Sequence, residues 1–209
     1  MKTSKQRFGF ALIGLMLVLS MGMNPVIADT ALQPQALPSG PTQEASPWKV
    51  QWHGKGDFND VSVAGDDAVW AIGTDGLVLR STDGGVFWEL QDPRTDAGLH
   101  AVHAASGSRA WIIGAQGLVL HTENGGLMWT QQDTGTSENL YDLYFADASS
   151  GWAVGANGVI LQTTDGGSTW QTQTSNTNAD LLGIACVDAQ TAWTAGEVGT
   201  VRYTSDAGA

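Results

Sequence analysis

Four tryptophans, Trp70, Trp111, Trp152 and Trp193, stand 41 residues apart with no insertion between them. Trp88, Trp129 and Trp170 keep the same interval, as do Gly73, Gly114, Gly155 and Gly196, and Gly76, Gly117, Gly158 and Gly199. A fixed period near 40 residues is the mark of a repeat architecture, and it restricts the fold before any local propensity is weighed. Each unit reads as four short strands, exemplified by residues 140–145, 151–155, 159–163 and 170–173. β-Branched and aromatic residues fill these strands, and glycine-rich turns separate them. Four-stranded units of this length are blades of an all-β propeller. After residue 47 the sequence has no amphipathic helical stretch.

Two turns repeat with the strands. The first lies between second and third strands, at Thr74-Asp75-Gly76, Ala115-Gln116-Gly117, Ala156-Asn157-Gly158 and Glu197-Val198-Gly199. A type I turn closed by a left-handed glycine fits it, with the two preceding positions unconstrained. The second joins third and fourth strands: Ser81-Thr82-Asp83-Gly84-Gly85 before Trp88, Thr122-Glu123-Asn124-Gly125-Gly126 before Trp129, and Thr163-Thr164-Asp165-Gly166-Gly167 before Trp170. A further copy starts at Thr204-Ser205-Asp206. Asp and Asn side chains lock such turns by accepting from amides two residues on. Asn124 stands where Asp83 and Asp165 stand, so the position needs an acceptor rather than a charge, which argues against a catalytic carboxylate. The tryptophan after each turn is expected to pack on its own blade.

The repeats are expected to occupy residues 48–209. Before them, Lys2, Lys5 and Arg7 precede an apolar run from Phe8 to Met23, and Val26-Ile27-Ala28 has the small-residue pattern of a cleavage site. Residues 1–28 therefore read as a secretory signal, which predicts export to the periplasm or beyond and no membrane span once it is removed. A retained anchor is the alternative, but the run is short for a span. Residues 29–47 carry Pro34, Pro38, Pro41 and Pro47 and read as a disordered leader.

The chain holds 21 acidic and nine basic residues, a net charge of −12. Removing residues 1–28 takes three basic residues and no acidic one, leaving −15. Such a surface repels nucleic acid and anionic lipid. Cys186 is the single cysteine, which rules out an intrachain disulfide and suggests a buried thiol. His100 and His103 lie three apart in one strand, so simple alternation puts them on opposite faces, a poor arrangement for a metal. Neither a metal nor a cofactor is expected.

The turns with their Ser/Thr, Asp/Asn, Gly and Trp resemble the Asp-box of sialidases and other propellers. The longer run 147–173, DASSGWAVGANGVILQTTDGGSTWQTQ, is similar to the repeat of the photosystem II stability and assembly factors of bacteria and plastids. That resemblance covers the chain from Trp48 onward. It implies a propeller, commonly of seven blades, that binds and scaffolds a protein partner and performs no catalysis. It also implies arginine-rich surface, and here the departure is plain: after the leader there are only Arg80, Arg94, Arg109 and Arg202, in different repeat positions. The alternative is a sialidase-like glycoside hydrolase. That chemistry needs clustered arginines and a Tyr–Glu pair, and Tyr141, Tyr144 and Tyr203 with four scattered arginines do not supply them.

If the chain binds a partner, the expected face is built by the hairpin turns together with the loops between blades, residues 92–98, 133–139 and 174–180. Thr74, Asp75, Arg94, Gln116, Asn157 and Glu197 are its candidate residues, with the Asp-box turns on the opposite rim. Trp48-Lys49-Val50-Gln51 matches Trp88-Glu89-Leu90-Gln91 and reads as a fourth strand with no blade before it. Residues 181–204 supply three strands of a blade. The count is four blades, and the expectation is part of a larger ring with an incomplete C-terminal repeat, rather than a small ring sealed by residues 48–51.

Overall fold

In a computed structural model, residues 49–208 are described, and the expectations for residues 1–28, for 29–47 and for Trp48 fall outside that range. Fifteen strands form four antiparallel meanders, one per repeat. The first blade is β1 (Phe58–Ala64), β2 (Ala68–Gly73), β3 (Val78–Ser81) and β4 (Glu89–Gln91). The second is β5 (Leu99–Ala104), β6 (Ala110–Gly114), β7 (Val119–Thr122) and β8 (Thr130–Gln132). The third is β9 (Leu140–Phe145), β10 (Gly151–Gly155), β11 (Ile160–Thr163) and β12 (Gln171–Gln173). The last has three strands, β13 (Leu181–Cys186), β14 (Ala192–Gly196) and β15 (Val201–Thr204). Lys49–Gln51, expected as a strand, has no ladder pairing.

The core lies between blades rather than within them. Trp70, Ile72 and Val78 of the first blade pack on Leu99, Val102, Ile112 and Leu120 of the second. Trp111, Ile113 and Val119 then pack on Leu140, Leu143, Phe145 and Leu161 of the third. Trp152 and Val154 meet Leu181, Ile184, Cys186 and Ala192 of the last. The alternation of each strand, apolar on both sides, follows from this: every inner blade is covered on both faces. The second tryptophan of a repeat departs from expectation. Trp129 leaves its own blade and meets Trp70 edge to face at 5.6 Å, and Trp170 joins the cluster around Trp111. It stands just before the outer strand, where the preceding blade is its apolar cover.

Each first strand carries a bulge, leaving Asn59, His100, Tyr141 and Leu182 outside the ladder. A bulge re-aims its side chain, and three of these reach the next blade. Asn59 Nδ2 donates to the Leu99 carbonyl at 2.7 Å, His100 Nδ1 lies 2.7 Å from the Leu140 carbonyl, and Tyr141 Oη donates to Asp180 at 3.3 Å. The bulge also removes the simple alternation from which His100 and His103 were expected on opposite faces. What separates them is their partners: His103 stands against Trp111, Tyr144 and Phe145. Carboxylates add a second tie. Asp60 accepts from the Val102 amide and Asp142 from the Ile184 amide, both at 2.8 Å.

Trp70, Trp111 and Trp152 are buried, but Trp193, expected to be buried with them, is 43% exposed. Among the described residues no further blade covers its face. At the other end Val61 and Val63 are each 59% exposed, although Val102 and Ala104, one repeat later, are buried.

Burial of an indole between two blades makes it expensive to delete. Trp152→Ala should cost ~3–5 kcal/mol, because strands on both sides limit collapse of the site. Val86→Ala, at an exposed turn position, should stay within about 0.5 kcal/mol. Chemical denaturation of both variants measures the difference, and equal losses would contradict an inter-blade core.

Candidate binding face

The two kinds of turn lie at opposite ends of the strands and are held by different bonds. In the first, Leu77 N donates to Thr74 O at 3.0 Å, and φ is positive at both central residues, 55° at Asp75 and 68° at Gly76. This is a type I′ hairpin, not the type I turn expected. Gln116, Asn157 and Val198 share the left-handed conformation, so the middle position is constrained after all. Two left-handed residues match the twist of the flanking strands. Gly117 is required for another reason as well: a Cβ there would run into the Thr136 carbonyl.

These hairpins are chained to one another through the loops between blades. The Gln116 amide donates to Asn139 Oδ1 at 3.0 Å, while the Asn139 carbonyl accepts from Ala156 at 2.8 Å. Asp180 does the same one blade on, taking the Asn157 amide on its carboxylate at 2.9 Å and the Glu197 amide on its carbonyl at 2.8 Å. Asn157 Nδ2 donates to Glu138 at 2.9 Å. In the first blade the Gly76 amide donates to the Ala97 carbonyl at 3.0 Å. The candidate residues Asp75, Gln116, Asn157 and Glu197 are exposed along this end, and Thr74 is half-buried beside them. Arg94 stands apart. It is left-handed in the neighbouring loop, its amide donating to Asp92, but its side chain lines an outer cleft with Leu90, Leu127 and Met128.

The end is acidic. Asp75, Asp92, Asp96, Asp133 and Glu197 are exposed on it and Glu138 is half-buried, with Arg94 nearby. Sequence reasoning did not single out Asn139 and Asp180, although both lie in the same repeat column as Asp57 and Gly98. That column was the available signal.

At the opposite rim the Ser/Thr and Asp/Asn side chains are consumed by their own turns. Ser81 Oγ bonds Asp83 Oδ1 at 2.8 Å and accepts from the Gly85 amide at 2.8 Å, and Asp83 Oδ1 accepts from Phe87, four residues on. Thr122 and Asn124 repeat the arrangement with Gly126 and Met128, and Thr163 and Asp165 repeat it with Gly167 and Thr169. Thr204 bonds Asp206 and Gly208. The reach is four residues, longer than the two expected. The amides of Phe87 and Thr169 hold the Asp83 and Asp165 carboxyls below the usual carboxylate range. Next to each turn sits a glutamine the sequence reading overlooked. A Cβ on Gly126 would meet Gln91 Oε1, one on Gly167 would meet Gln132, and one on Gly208 would meet Gln173.

Other titratable groups are tied to structure. Burial raises the Asp142 carboxyl, which still accepts from the Leu143 and Ile184 amides. Desolvation and then Asp180 raise the Tyr141 phenol. Burial pushes the Cys186 thiol up to about 11. Among the described residues no group of three His, Cys, Asp or Glu side chains is placed to hold a metal.

Comparison with known proteins now decides the family. The family model described as photosynthesis system II assembly factor YCF48 matches residues 41–135 and 127–209. The chain belongs to that family. No curated protein matches it. Among solved structures, one titled YCF48 bound to D1 peptide superposes with a TM-score of 0.55 at 17% identity, over 80% of this chain and 85% of that one. YCF48 from Cyanidioschyzon merolae gives 0.54 at 18%, over 71% of this chain and 56% of its own. The blade geometry also resembles a GH74 enzyme described as ancestral, at 0.61 and 18%, where the chain spans only 23% of the enzyme. The fold is therefore shared by family members and by GH74 propellers alike.

The lowered carboxyls predict a pH dependence. A carboxylate whose pKa falls on folding stabilises fully above its unfolded value and loses that contribution as pH falls through its folded value. Stability should therefore decline below pH about 4, the unfolded carboxylate value. Asp165→Asn should flatten that decline with little loss at neutral pH, as Asn124 already serves in the same place. Thr163→Ala should cost ~1–3 kcal/mol at any pH by stranding the buried Gly167 amide. Melting curves from pH 3 to 7 would read both.

Proposed function

We propose that this YCF48-family chain is an exported, non-enzymatic propeller that holds a protein partner on the face built by its type I′ hairpins. The observation that carries the reading is the chained row of turns at 74–77, 115–118 and 156–159. Its backbone is locked through Asn139 and Asp180, and its exposed side chains are Asp75, Gln116 and Asn157, with Glu197 alongside. A rigid row of polar groups loses little freedom when it binds an extended segment. The acidic character of that end selects a segment with basic side chains. The complex titled YCF48 bound to D1 peptide supports a polypeptide as the ligand class. Export rests on the apolar run and cleavage pattern in residues 1–28.

Several observations favour binding over glycoside hydrolysis, despite the GH74 likeness. The Asp83 and Asp165 carboxylates are held by their turn amides and lie low, away from the range of a general acid. The Tyr141 phenol is raised, the opposite of an activated nucleophile. The Cys186 thiol is buried and raised as well.

Labelled peptides of equal length and of positive, neutral or negative charge test the reading by fluorescence anisotropy. The cationic peptide should bind tightest and weaken as salt rises. Asp75→Asn with Glu197→Gln should weaken it further while leaving the melting temperature unchanged. Binding indifferent to charge and salt would remove the proposed face, and glycoside turnover lost on changing one loop carboxylate would establish the hydrolase instead. N-terminal sequencing of the exported protein should begin at Asp29.

A further inference from the structure

We propose that the outer cleft between the first and second blades docks an extended segment of a partner protein, apolar at alternate residues with Lys or Arg between them. This site is separate from the hairpin row and does not rest on it. The repeat supplies an internal reference. A cleft of about 560 Å3 runs beside β4, and one of about 480 Å3 runs beside β8. Residues 41 apart line the two: Glu89 and Thr130, Leu90 and Gln131, Asp92 and Asp133, Leu127 and Ser168. They are one cleft built twice on the same backbone.

The side chains differ. The first cleft is walled by Phe87, Leu90, Leu127 and Met128, which are 49%, 45%, 86% and 60% exposed. One repeat on, Gln131, Ser168 and Thr169 replace Leu90, Leu127 and Met128, and all three are exposed. The turn still closes: the Thr169 amide donates to Asp165 as the Met128 amide donates to Asn124. The fold therefore asks for no apolar group at these positions. A contiguous exposed apolar patch of this kind marks a contact surface. Its two walls belong to adjoining blades already packed together through Trp70 and Trp129. The exposure is thus that of a cleft between neighbours.

Three features select the occupant. A concave space of this volume takes a few side chains rather than the broad face of a second folded domain. β4 is the outermost strand of its sheet, so its far edge offers main-chain groups to an extended segment. Side chains of such a segment alternate between cleft and solvent. Charge sets the residues between the apolar ones. Glu89 and Asp92 are exposed on the cleft wall, and the chain carries a net charge of −12. Basic side chains are favoured there and acidic ones repelled. Arg94 stands at the Asp92 end, its amide on Asp92 Oδ1 at 2.9 Å, and its guanidinium forms no ion pair among the described residues. It turns that end against a cation, which places the basic side chains toward Glu89.

The probes are labelled hexapeptides of alternating Leu and Lys, alternating Ser and Lys, and alternating Leu and Glu, read by fluorescence anisotropy. The Leu–Lys peptide should bind tightest. Leu127→Ser with Met128→Thr, which installs the residues found at 168 and 169, should weaken it about tenfold. The same pair should leave the Ser–Lys peptide and the melting temperature unchanged. Asp75→Asn with Glu197→Gln should weaken the Ser–Lys peptide while the Leu–Lys peptide keeps its dependence on Leu127 and Met128, so the two sites fail separately. Glu89→Gln should narrow the preference for Leu–Lys over Leu–Glu. Leu–Lys binding that ignores the paired substitution would overturn the proposal, as would equal affinity for Leu–Glu. Self-association by light scattering, or capture on phosphatidylcholine vesicles, would overturn it too if the paired substitution abolished either one, since the cleft would then serve a second copy or a lipid surface.

Discussion

The structure depends on one contact made three times, a tryptophan of one blade pressed into the apolar face of the next. No blade has a core of its own. Its sheet is apolar on both sides, and each side is dry only because a neighbour lies on it. An indole buries up to ~200 Å2, worth about 5 kcal/mol at the usual ~25 cal/mol per Å2. The same contact explains what happens where it is missing. Trp193 and Val63 lie in positions whose repeats are buried, and they are open because none of the described blades lies on them.

Around that contact the polar groups divide the molecule into two ends with different work. At the Ser81, Thr122 and Thr163 turns, hydroxyls and carboxyls are spent on amides of the same turn. At the hairpin end the backbone is bonded to the loops of adjacent blades, and most side chains are left facing outward. A row of side chains on a fixed backbone is the usual form of a recognition surface on a repeat protein. Its exposed carboxylates make that end acidic, with Arg94 and Arg202 as the arginines beside it.

Much of this was legible in the 41-residue period. The interval required blades, and alternation placed the strands to within a residue or two, as for Leu140–Phe145 and Gly151–Gly155. The columns of glycine marked both turns. Other features were not legible. The bulges at Asn59, His100, Tyr141 and Leu182 fall on four different residue types, so no column revealed them. The type I′ geometry was hidden because Asp75, Gln116, Asn157 and Val198 share a conformation without sharing chemistry. The crossing of Trp129 onto Trp70 needed the position of a neighbouring blade.

The sequence by itself determined the unit: its length, its four strands, its turns and the family they belong to, because those depend on contacts within about 40 residues that recur in register. Only the tertiary structure decided what each unit touches. Which tryptophan covers which blade, which carboxylate reaches the next strand and which faces stay open are set by how one sheet rotates against another. That rotation leaves no periodic mark in the chain, since every blade carries the same two faces whether or not a neighbour covers them.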